Sequence, residues 1–252
     1  MSVLSLTGVC LSFPRGRRHL VRVLADVSLR VDAGEVVAVL AQRAQGKTSL
    51  LRVAAGMRQP DRGRVYFEGE DLWGFSDRRR SRLLGGQIGW VGPTVPDLDV
   101  PMLSSVALPL FAAYGKRESY TRAMAALERV GAAECAEQLW ESLADWERAL
   151  LAVAQGIARE PKLLLVDDLT VSLGLGEADE IARLLDALAK ERGFGVLMSV
   201  SDAGATGWSG RVVTLAGGEL LEAPRAAAEQ GNIIDFPGVA PGDRDPRHGI
   251  SS

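Results

Sequence analysis

The chain has 252 residues, a formal net charge of -3 at pH 7 and a pI of about 5.6. This length is enough for one large α/β domain or two small ones. The acidic balance argues against a protein that wraps DNA or RNA, because such proteins usually present a basic face. Cys10 and Cys135 form no CxxC pair, which indicates small buried side chains in a reducing cytosol and not a disulfide framework.

The hydropathy of the chain predicts no membrane-spanning segment. Residues 1–13 lack a basic start followed by a long apolar run, so we expect no secretory signal. No apolar stretch approaches the roughly 18 to 20 residues that cross a bilayer. Any work at a membrane is therefore expected to be done through a partner.

The first predicted elements are two strands and a helix. Val27, Leu29 and Val31 alternate with polar residues, which predicts a strand with one buried face. The continuous apolar run at residues 36–40 predicts a strand that is buried on both faces of a parallel sheet. A short loop then leads into a helix that begins near Gly46.

The middle of the chain is predicted to be mostly helical. A short strand at residues 64–67 precedes it, and the helical pattern extends from residue 71 to residue 161. Two helices are expected at residues 119–130 and 147–159. The three arginines at residues 78–80 could contact phosphate, but a solvated helix face is the favoured interpretation in an acidic protein.

Strands and a helix alternate again in the last third. Residues 163–166 form a second apolar run, typical of a buried strand, and a helix follows that Gly193 ends. Residues 196–200 and 211–215 are predicted to be further strands. This alternation predicts a doubly wound α/β sheet.

One loop has the pattern of a phosphate-binding site. In GxxxxGK[ST], backbone N–H groups cradle the phosphates, the lysine neutralises β/γ charge and the hydroxyl ligates magnesium. The loop here is AQRAQGKT, in which Ala41 replaces the first glycine, while Gly46, Lys47 and Thr48 remain. The buried strand before it, the helix after it and a second apolar strand that ends in Asp167 support a nucleotide site, because Asp167 can lie beside the magnesium.

Several segments in the same order resemble the ATP-binding subunits of ATP-binding-cassette (ABC) transporters, up to about residue 222. The matching segments are DAGEVVAVL, GKTSLLRVAAG, IGWV, VALPL, AREPKLLLVDD and VLMSVSDAGATGW. Within the family the chain is most similar to the lipoprotein-release, cell-division and macrolide-export branch.

The resemblance implies a fold class and a division of the chain. The fold is α/β, an ABC-type P-loop NTPase core with an N-terminal antiparallel β subdomain and a helical subdomain. The core and its β subdomain are expected at residues 1–84 and 162–234, and the helical subdomain with IGWV and VALPL at 85–161. Residues 235–252 are rich in Pro, Gly and charge, which predicts a mobile tail.

The resemblance also assigns roles to individual residues. It implies that Phe13 stacks on adenine, although a phenylalanine of the core at a strand end is an equally good interpretation. It implies that Lys47 contacts the phosphates and that Thr48 and Asp167 hold Mg²⁺. The nucleotide-binding residues implied by this alignment are Phe13, Ala41, Ala44, Gly46, Lys47, Thr48 and Ser49.

Many positions depart from the family pattern. Ala41 and Ala44 replace loop glycines, which adds strain on the order of 1 kcal/mol wherever φ must be positive. Pro93 replaces the glutamine that senses magnesium and the transmembrane partner. Asp168 stands for the catalytic glutamate on a shorter stem, and Ser201 replaces the histidine that holds the γ-phosphate.

The family signature LSGGE is also degenerate. It is represented by Leu143, Ala144, Asp145, Trp146 and Glu147. A helix start attracts phosphate, yet Asp145 adds a like charge and Trp146 adds bulk. A shifted alignment could explain one lost motif, but AREP and LLLVDD fix the register of the signature and of Asp167 without gaps, so divergence explains the changes better.

These residues predict a nucleotide-binding subunit that binds ATP and Mg²⁺ with weak or absent hydrolysis. The implied partners are a transmembrane permease subunit and a second nucleotide-binding subunit, in a homo- or heterodimer, and no nucleic acid. The implied location is peripheral, on the cytoplasmic side of the cell membrane. The family implies a head-to-tail dimer, in which each ATP lies between the phosphate loop of one subunit and the signature helix of the other. Because this chain departs from the pattern in both regions, both ATP sites of such a dimer would be damaged, whichever partner it has.

Two alternatives remain open from the sequence. A non-enzymatic scaffold or regulator could keep the fold without binding nucleotide, which Ala41 and Ala44 favour and Lys47, Thr48 and Asp167 oppose. A working ATPase with unorthodox catalytic residues is the other alternative, and it would depend on Asp168.

Overall fold

The N-terminal part of the molecule is an antiparallel sheet. A computed structural model describes residues 1–16, 19–92, 99–201 and 210–222. The strands of this sheet follow the order β2-β1-β4-β5. They are β1 (Ser2–Arg15), β2 (His19–Asp32), β4 (Arg62–Phe67) and β5 (Glu70–Asp71). The alternation predicted in β2 is present, because Val27, Leu29 and Val31 are buried.

A second sheet forms the centre of the molecule. Its strands follow the order β10-β9-β3-β8-β7-β6. Neighbours from β9 to β6 are parallel, and β10 is antiparallel to β9. These strands are β3 (Val36–Leu40), β6 (Ile88–Val91), β7 (Leu163–Val166), β8 (Gly195–Val200), β9 (Arg211–Ala216) and β10 (Glu219–Glu222). The two apolar runs predicted to be buried strands are β3 and β7, and the predicted α/β fold class is confirmed.

Six α-helices connect and cover the strands in the described part of the chain. They are α1 (Lys47–Ala54), α2 (Asp77–Gly86), α3 (Met102–Ala107), α4 (Phe111–Arg129), α5 (Asp145–Ile157) and α6 (Leu175–Arg192). Helix α6 ends where the sequence predicted, because Gly193 adopts the left-handed conformation that closes a helix. Helix α4 starts earlier than predicted and contains a non-helical residue, Gly115, with φ of 70°.

The central sheet separates two apolar cores. Val36 and Ala38 of β3 face the core that α3 to α6 cover, whereas Val37 and Val39 face the core shared with α1 and the antiparallel sheet. The same alternation occurs along β7. A parallel sheet covered on both faces needs apolar side chains at every position, which is why these strands are uninterrupted apolar runs.

One segment that the resemblance assigned to the helical subdomain lies in the central sheet. The segment IGWV is strand β6, which pairs with β7 at the edge of the central sheet. Four residues without a flanking strand pattern are too few to distinguish a strand from a helix, and only the pairing with β7 reveals it. The rest of the division into subdomains stays a prediction.

The arginines at residues 78–80 lie at the start of α2. Arg79 forms an ion pair with Glu70 and lies over the ring of Phe75, while Arg80 pairs with Asp77. These local contacts agree with the interpretation of a solvated helix face. Pro93 and the tail at residues 235–252 lie outside the described residues.

Among the described helices, none is both long enough and apolar enough to span a bilayer.

Candidate functional site: a phosphate loop and a neighbouring carboxylate pair

The loop between β3 and α1 has two residues in the left-handed region. Gly46 caps α1 with φ of 99°, and Ala44 has φ of 62°. A Cβ on Gly46 would lie 2.6 Å from Val23 Cγ1 and 3.0 Å from the Val23 carbonyl oxygen, so only glycine fits here. The predicted strain therefore applies to Ala44. Ala41 is buried without a positive φ, and its N–H donates to the Val200 carbonyl.

Lys47 is buried at the start of α1 and has two hydrogen-bond partners inside the chain. Only 4% of its surface is exposed. Its Nζ donates to Asp168 Oδ1 at 2.7 Å and to the hydroxyl of Ser201. Ser201 in turn donates to Asp168 Oδ1 at 3.1 Å. The three side chains form a closed cluster, and a buried ammonium needs such partners because burial of an unpaired charge is costly.

Thr48 and Asp167 form a second polar cluster beside it. Thr48 Oγ1 donates to Asp167 Oδ1 at 3.1 Å, and the buried Ser199 hydroxyl donates to the same oxygen at 3.1 Å. The Asp168 N–H donates to Ser199 Oγ at 2.8 Å. Asp168 itself adopts φ of 47°. Ser199 therefore holds both carboxylate residues that follow β7.

The chemistry of Thr48 and Asp167 suits a magnesium ion. Magnesium prefers oxygen ligands, retains several waters and is usually held by one or two carboxylates together with substrate phosphates. Thr48 and Asp167 supply two neighbouring oxygens. Within the described ranges no group of three or more His, Cys, Asp or Glu side chains could hold a metal ion. The pair thus fits an ion that a nucleotide would share, and not a cage made by protein alone.

A cleft opens above these residues. It is lined by Phe13, Val23, Arg43, Ala44, Gly46, Lys47, Thr48, Ser49 and Asp168. Phe13 is half-buried against the core and also lines the cleft, so its position is compatible with either interpretation, and adenine stacking stays a prediction. The Arg58 guanidinium lies over the Phe13 ring at 5.1 Å. A base that stacks on that face would have to displace it.

The residues at the signature position begin helix α5. Ala144 caps the helix, and its N–H donates to Glu147 Oε2 at 2.8 Å. Asp145 is exposed in the first turn and pairs with Arg148. Trp146 is half-buried and packs against the helical core, and Leu143 is buried. Two carboxylates therefore already compensate the positive end of the α5 dipole.

Cys135 lies next to this helix start. Burial raises the pKa of its thiol, and the charge of Glu147 raises that pKa further. Its Sγ donates to Glu147 Oε1 at 3.6 Å.

The predicted site residues fall into two groups in the structure. Phe13, Ala44, Gly46, Lys47, Thr48, Ser49 and Asp168 line the cleft, with Asp167 and Ser201 hydrogen-bonded to Thr48 and Lys47. The buried Ala41 and the residues at the start of α5 do not line this cleft. Sequence reasoning missed Ser199, although a serine inside the apolar strand VLMSV is an unusual signal for a buried strand.

Comparison with known proteins identifies the family. The sequence profile of the ABC transporter family matches residues 24–171. The lipoprotein-releasing system ATP-binding protein LolD of Roseobacter denitrificans is 30% identical over 224 residues, which cover 87% of this chain and 98% of LolD. LolD 2 of Caulobacter vibrioides is 32% identical over 202 residues, which cover 79% of this chain and 88% of LolD 2. Methionine import ATP-binding protein MetN 1 of Rhodococcus jostii is 29% identical over 263 residues, covering 96% of this chain and 75% of MetN 1.

Solved structures show the same fold. A bacterial ABC transporter cassette solved as a dimer superposes with a TM-score of 0.76 at 23% identity, covering 86% of this chain and 96% of the cassette. Its post-hydrolysis state bound to ADP and Pi also superposes with a TM-score of 0.76 at 23% identity, covering 87% of this chain and 98% of the cassette. The profile match and the sequence relatives show that the chain belongs to the ABC transporter family, as one of its ATP-binding subunits.

Proposed function

We propose that this chain binds ATP and Mg²⁺ but hydrolyses ATP weakly or not at all, and that it transmits the bound state to a membrane partner. One observation carries this proposal. The cleft above Lys47, Thr48 and Asp167 offers an ammonium, a hydroxyl and a carboxylate that suit phosphate and a metal ion, whereas two carboxylates of the chain already occupy the first turn of α5.

The hydrolytic side of the proposal depends on Asp168 and Ser201. In this structure the Asp168 carboxylate pairs with Lys47 and accepts a hydrogen bond from Ser201, so both side chains are engaged with each other and with the lysine. The aspartate side chain is one methylene shorter than that of glutamate. A carboxylate held beside Lys47 therefore reaches less far toward an attacking water. Loss of one electrostatic contact to a transition state typically costs about 3 to 4 kcal/mol, so two weakened contacts would slow turnover greatly.

The proposed partners rest on the family and on two exposed apolar side chains that follow Asp168 in the chain. Val171 and Leu175, in the segment after β7, are 50% and 64% exposed. Two such exposed apolar side chains suit burial against a second nucleotide-binding subunit. The matched LolD proteins are named as parts of a lipoprotein-releasing system. By analogy this chain would act with a transmembrane permease subunit, peripherally on the cytoplasmic side of the membrane.

A thermal-shift experiment tests nucleotide binding. ATP with Mg²⁺ is expected to raise the Tm of the wild-type chain, and Lys47→Ala is expected to abolish the rise. Lys162→Ala is a matched control, because Lys162 is an exposed lysine that pairs with Glu68 away from the cleft. A rise that persists in Lys47→Ala would contradict binding at this loop.

A turnover assay on the purified chain tests the loss of hydrolysis. We expect a rate far below the median enzyme rate of about 10 s⁻¹. An ordinary rate that Asp168→Asn abolishes would instead identify a working ATPase with an aspartate in the catalytic position.

A second candidate function is a scaffold that no longer binds nucleotide. The closed cluster of Lys47, Asp168 and Ser201 favours it, because the lysine needs no phosphate to compensate its charge. Absence of any nucleotide-dependent rise in Tm in the wild-type chain would support this candidate over the first.

A further inference from the structure

The Asp168 carboxylate occupies the position beside Lys47 that a phosphate of a bound nucleotide would need. A P-loop lysine reaches the β- and γ-phosphates. Here the Lys47 ammonium already has an anionic partner 2.7 Å away, together with a hydroxyl from Ser201. A nucleotide must therefore replace an internal anion and not simply fill an open site.

Asp168 is also held from its backbone side. Its N–H donates to Ser199 Oγ at 2.8 Å, and Ser199 is itself buried and fixed on Asp167. Its backbone has φ of 47°, and its side chain is three-quarters buried, with 26% exposed. These restraints leave the carboxylate little room to move away when a ligand enters.

The charges near Lys47 should repel the terminal phosphate of a triphosphate more than any other phosphate of the nucleotide. The Mg²⁺ that Thr48 and Asp167 would hold offsets the charge of Asp167 for either nucleotide, so Asp168 is the carboxylate left to act on a phosphate next to Lys47. The other cation that lines the described cleft is the exposed Arg43. A diphosphate brings one phosphate fewer toward Asp168. Like charges a few ångströms apart in a partly buried site repel strongly.

We propose that Asp168 is a specificity-determining residue that makes the site favour a nucleoside diphosphate over a triphosphate. The carboxylate serves as the internal counter-ion of Lys47 in the empty chain and repels the terminal phosphate of a triphosphate. This inference rests on the proposed nucleotide binding, since it concerns the same cleft.

Calorimetric titration with ADP and with the non-hydrolysable triphosphate AMP-PNP, both with Mg²⁺, tests the inference without interference from turnover. The wild-type chain is expected to bind ADP at least about tenfold more tightly than AMP-PNP, a difference of about 1.4 kcal/mol. Asp168→Asn is expected to tighten AMP-PNP binding by about tenfold and to change ADP binding by less than about threefold.

The empty protein supplies a second measurement. Asp168→Asn leaves the buried Lys47 without its anion, so the Tm of the empty chain is expected to fall by about 2 to 4 °C or more while the rise caused by AMP-PNP grows. Glu68→Gln is the matched control, because it neutralises an ion pair with Lys162 outside the cleft. It should leave the ratio of the two affinities unchanged.

Three outcomes would overturn the inference. Equal affinity of the wild-type chain for ADP and AMP-PNP would do so even if Asp168→Asn failed to fold. A change of both affinities by the same factor in Asp168→Asn would show that the residue has no role in discrimination. Absence of binding of both nucleotides to the wild-type chain and to Asp168→Asn would overturn the proposed function and the inference with it.

Discussion

Helices α1 and α5 both begin where the sequence predicts phosphate contacts, but their first turns differ. The first turn of α1 has no acidic residue and starts at a glycine with φ of 99°. The first turn of α5 contains Asp145 and Glu147, and Glu147 accepts the N–H of the capping residue. A helix start attracts anions through free N–H groups and its dipole. In α1 this property remains available to a ligand, whereas in α5 the chain uses it to stabilise itself.

The starts of α1 and α5 are also held in place by different kinds of contact. The start of α1 is fixed by contacts to distant strands, through Lys47, Thr48 and the close approach of Val23 to Gly46. The start of α5 is fixed by neighbours in sequence, through the Glu147 cap and the Asp145–Arg148 pair. Changes at α1 should therefore affect both fold and ligand binding, whereas changes at α5 should affect local stability alone.

The largest effect is expected at Gly46. Gly46→Ala places a Cβ 2.6 Å from Val23 Cγ1 in the left-handed region, which should lower the free energy of unfolding by about 3 kcal/mol. Gly174→Ala is the control at another helix cap, because its φ of -66° and nearest contact of 3.7 Å tolerate a side chain. Urea unfolding measures both. Equal losses of unfolding free energy in Gly46→Ala and Gly174→Ala would contradict a special requirement for glycine at the start of α1.

The next effect is expected at Glu147. Glu147→Ala removes the acceptor for the Ala144 N–H and should cost about 1 kcal/mol of stability. Glu147→Gln can keep that hydrogen bond and should cost less. Nucleotide affinity of the isolated chain, measured by calorimetry, should not change in either variant. A loss of affinity would show that the two helix starts are coupled within one chain.

A smaller, opposite effect is expected at Ala44. Ala44→Gly removes the strain of an alanine at φ of 62°, partly offset by the greater freedom of glycine in the unfolded chain. The net gain should be about 0.5 kcal/mol of unfolding free energy. Chemical unfolding of Ala44→Gly beside Ala41→Gly tests it, because Ala41 has no positive φ to relieve and should lose stability instead.

The smallest effect concerns the pH dependence of stability near α5. Burial and Glu147 raise the pKa of Cys135 in the folded chain, so folding favours the protonated thiol. This contribution is fully present below the pKa of an unfolded cysteine and is lost as the pH rises through the folded pKa. Tm values measured from neutral to alkaline pH should therefore fall less in Cys135→Ala than in the wild-type chain. Parallel plots of Tm against pH for Cys135→Ala and the wild-type chain would contradict this prediction.

The sequence predicted the elements whose signals are local. The apolar runs of β3 and β7 gave their bounds, Gly193 gave the end of α6, and the GKT motif identified Lys47 and Thr48. Strand β6 carried no sufficient local signal, because its place in the sheet depends on pairing with β7. Ser199 was missed because its partners, Asp167 and the Asp168 N–H, lie on another strand's end.

By itself the sequence determined the family, the order of most elements and the residue types of the phosphate loop. These features depend on short-range periodicity and on the conformations open to glycine and proline. Only the tertiary structure decided which groups meet around Lys47. Strand β8 lies between β3 and β7, so the carboxyl ends of the three strands bring Ser201 and Asp168 to a lysine 121 residues from Asp168 along the chain. That contact is set by the sheet order, and no local pattern encodes it.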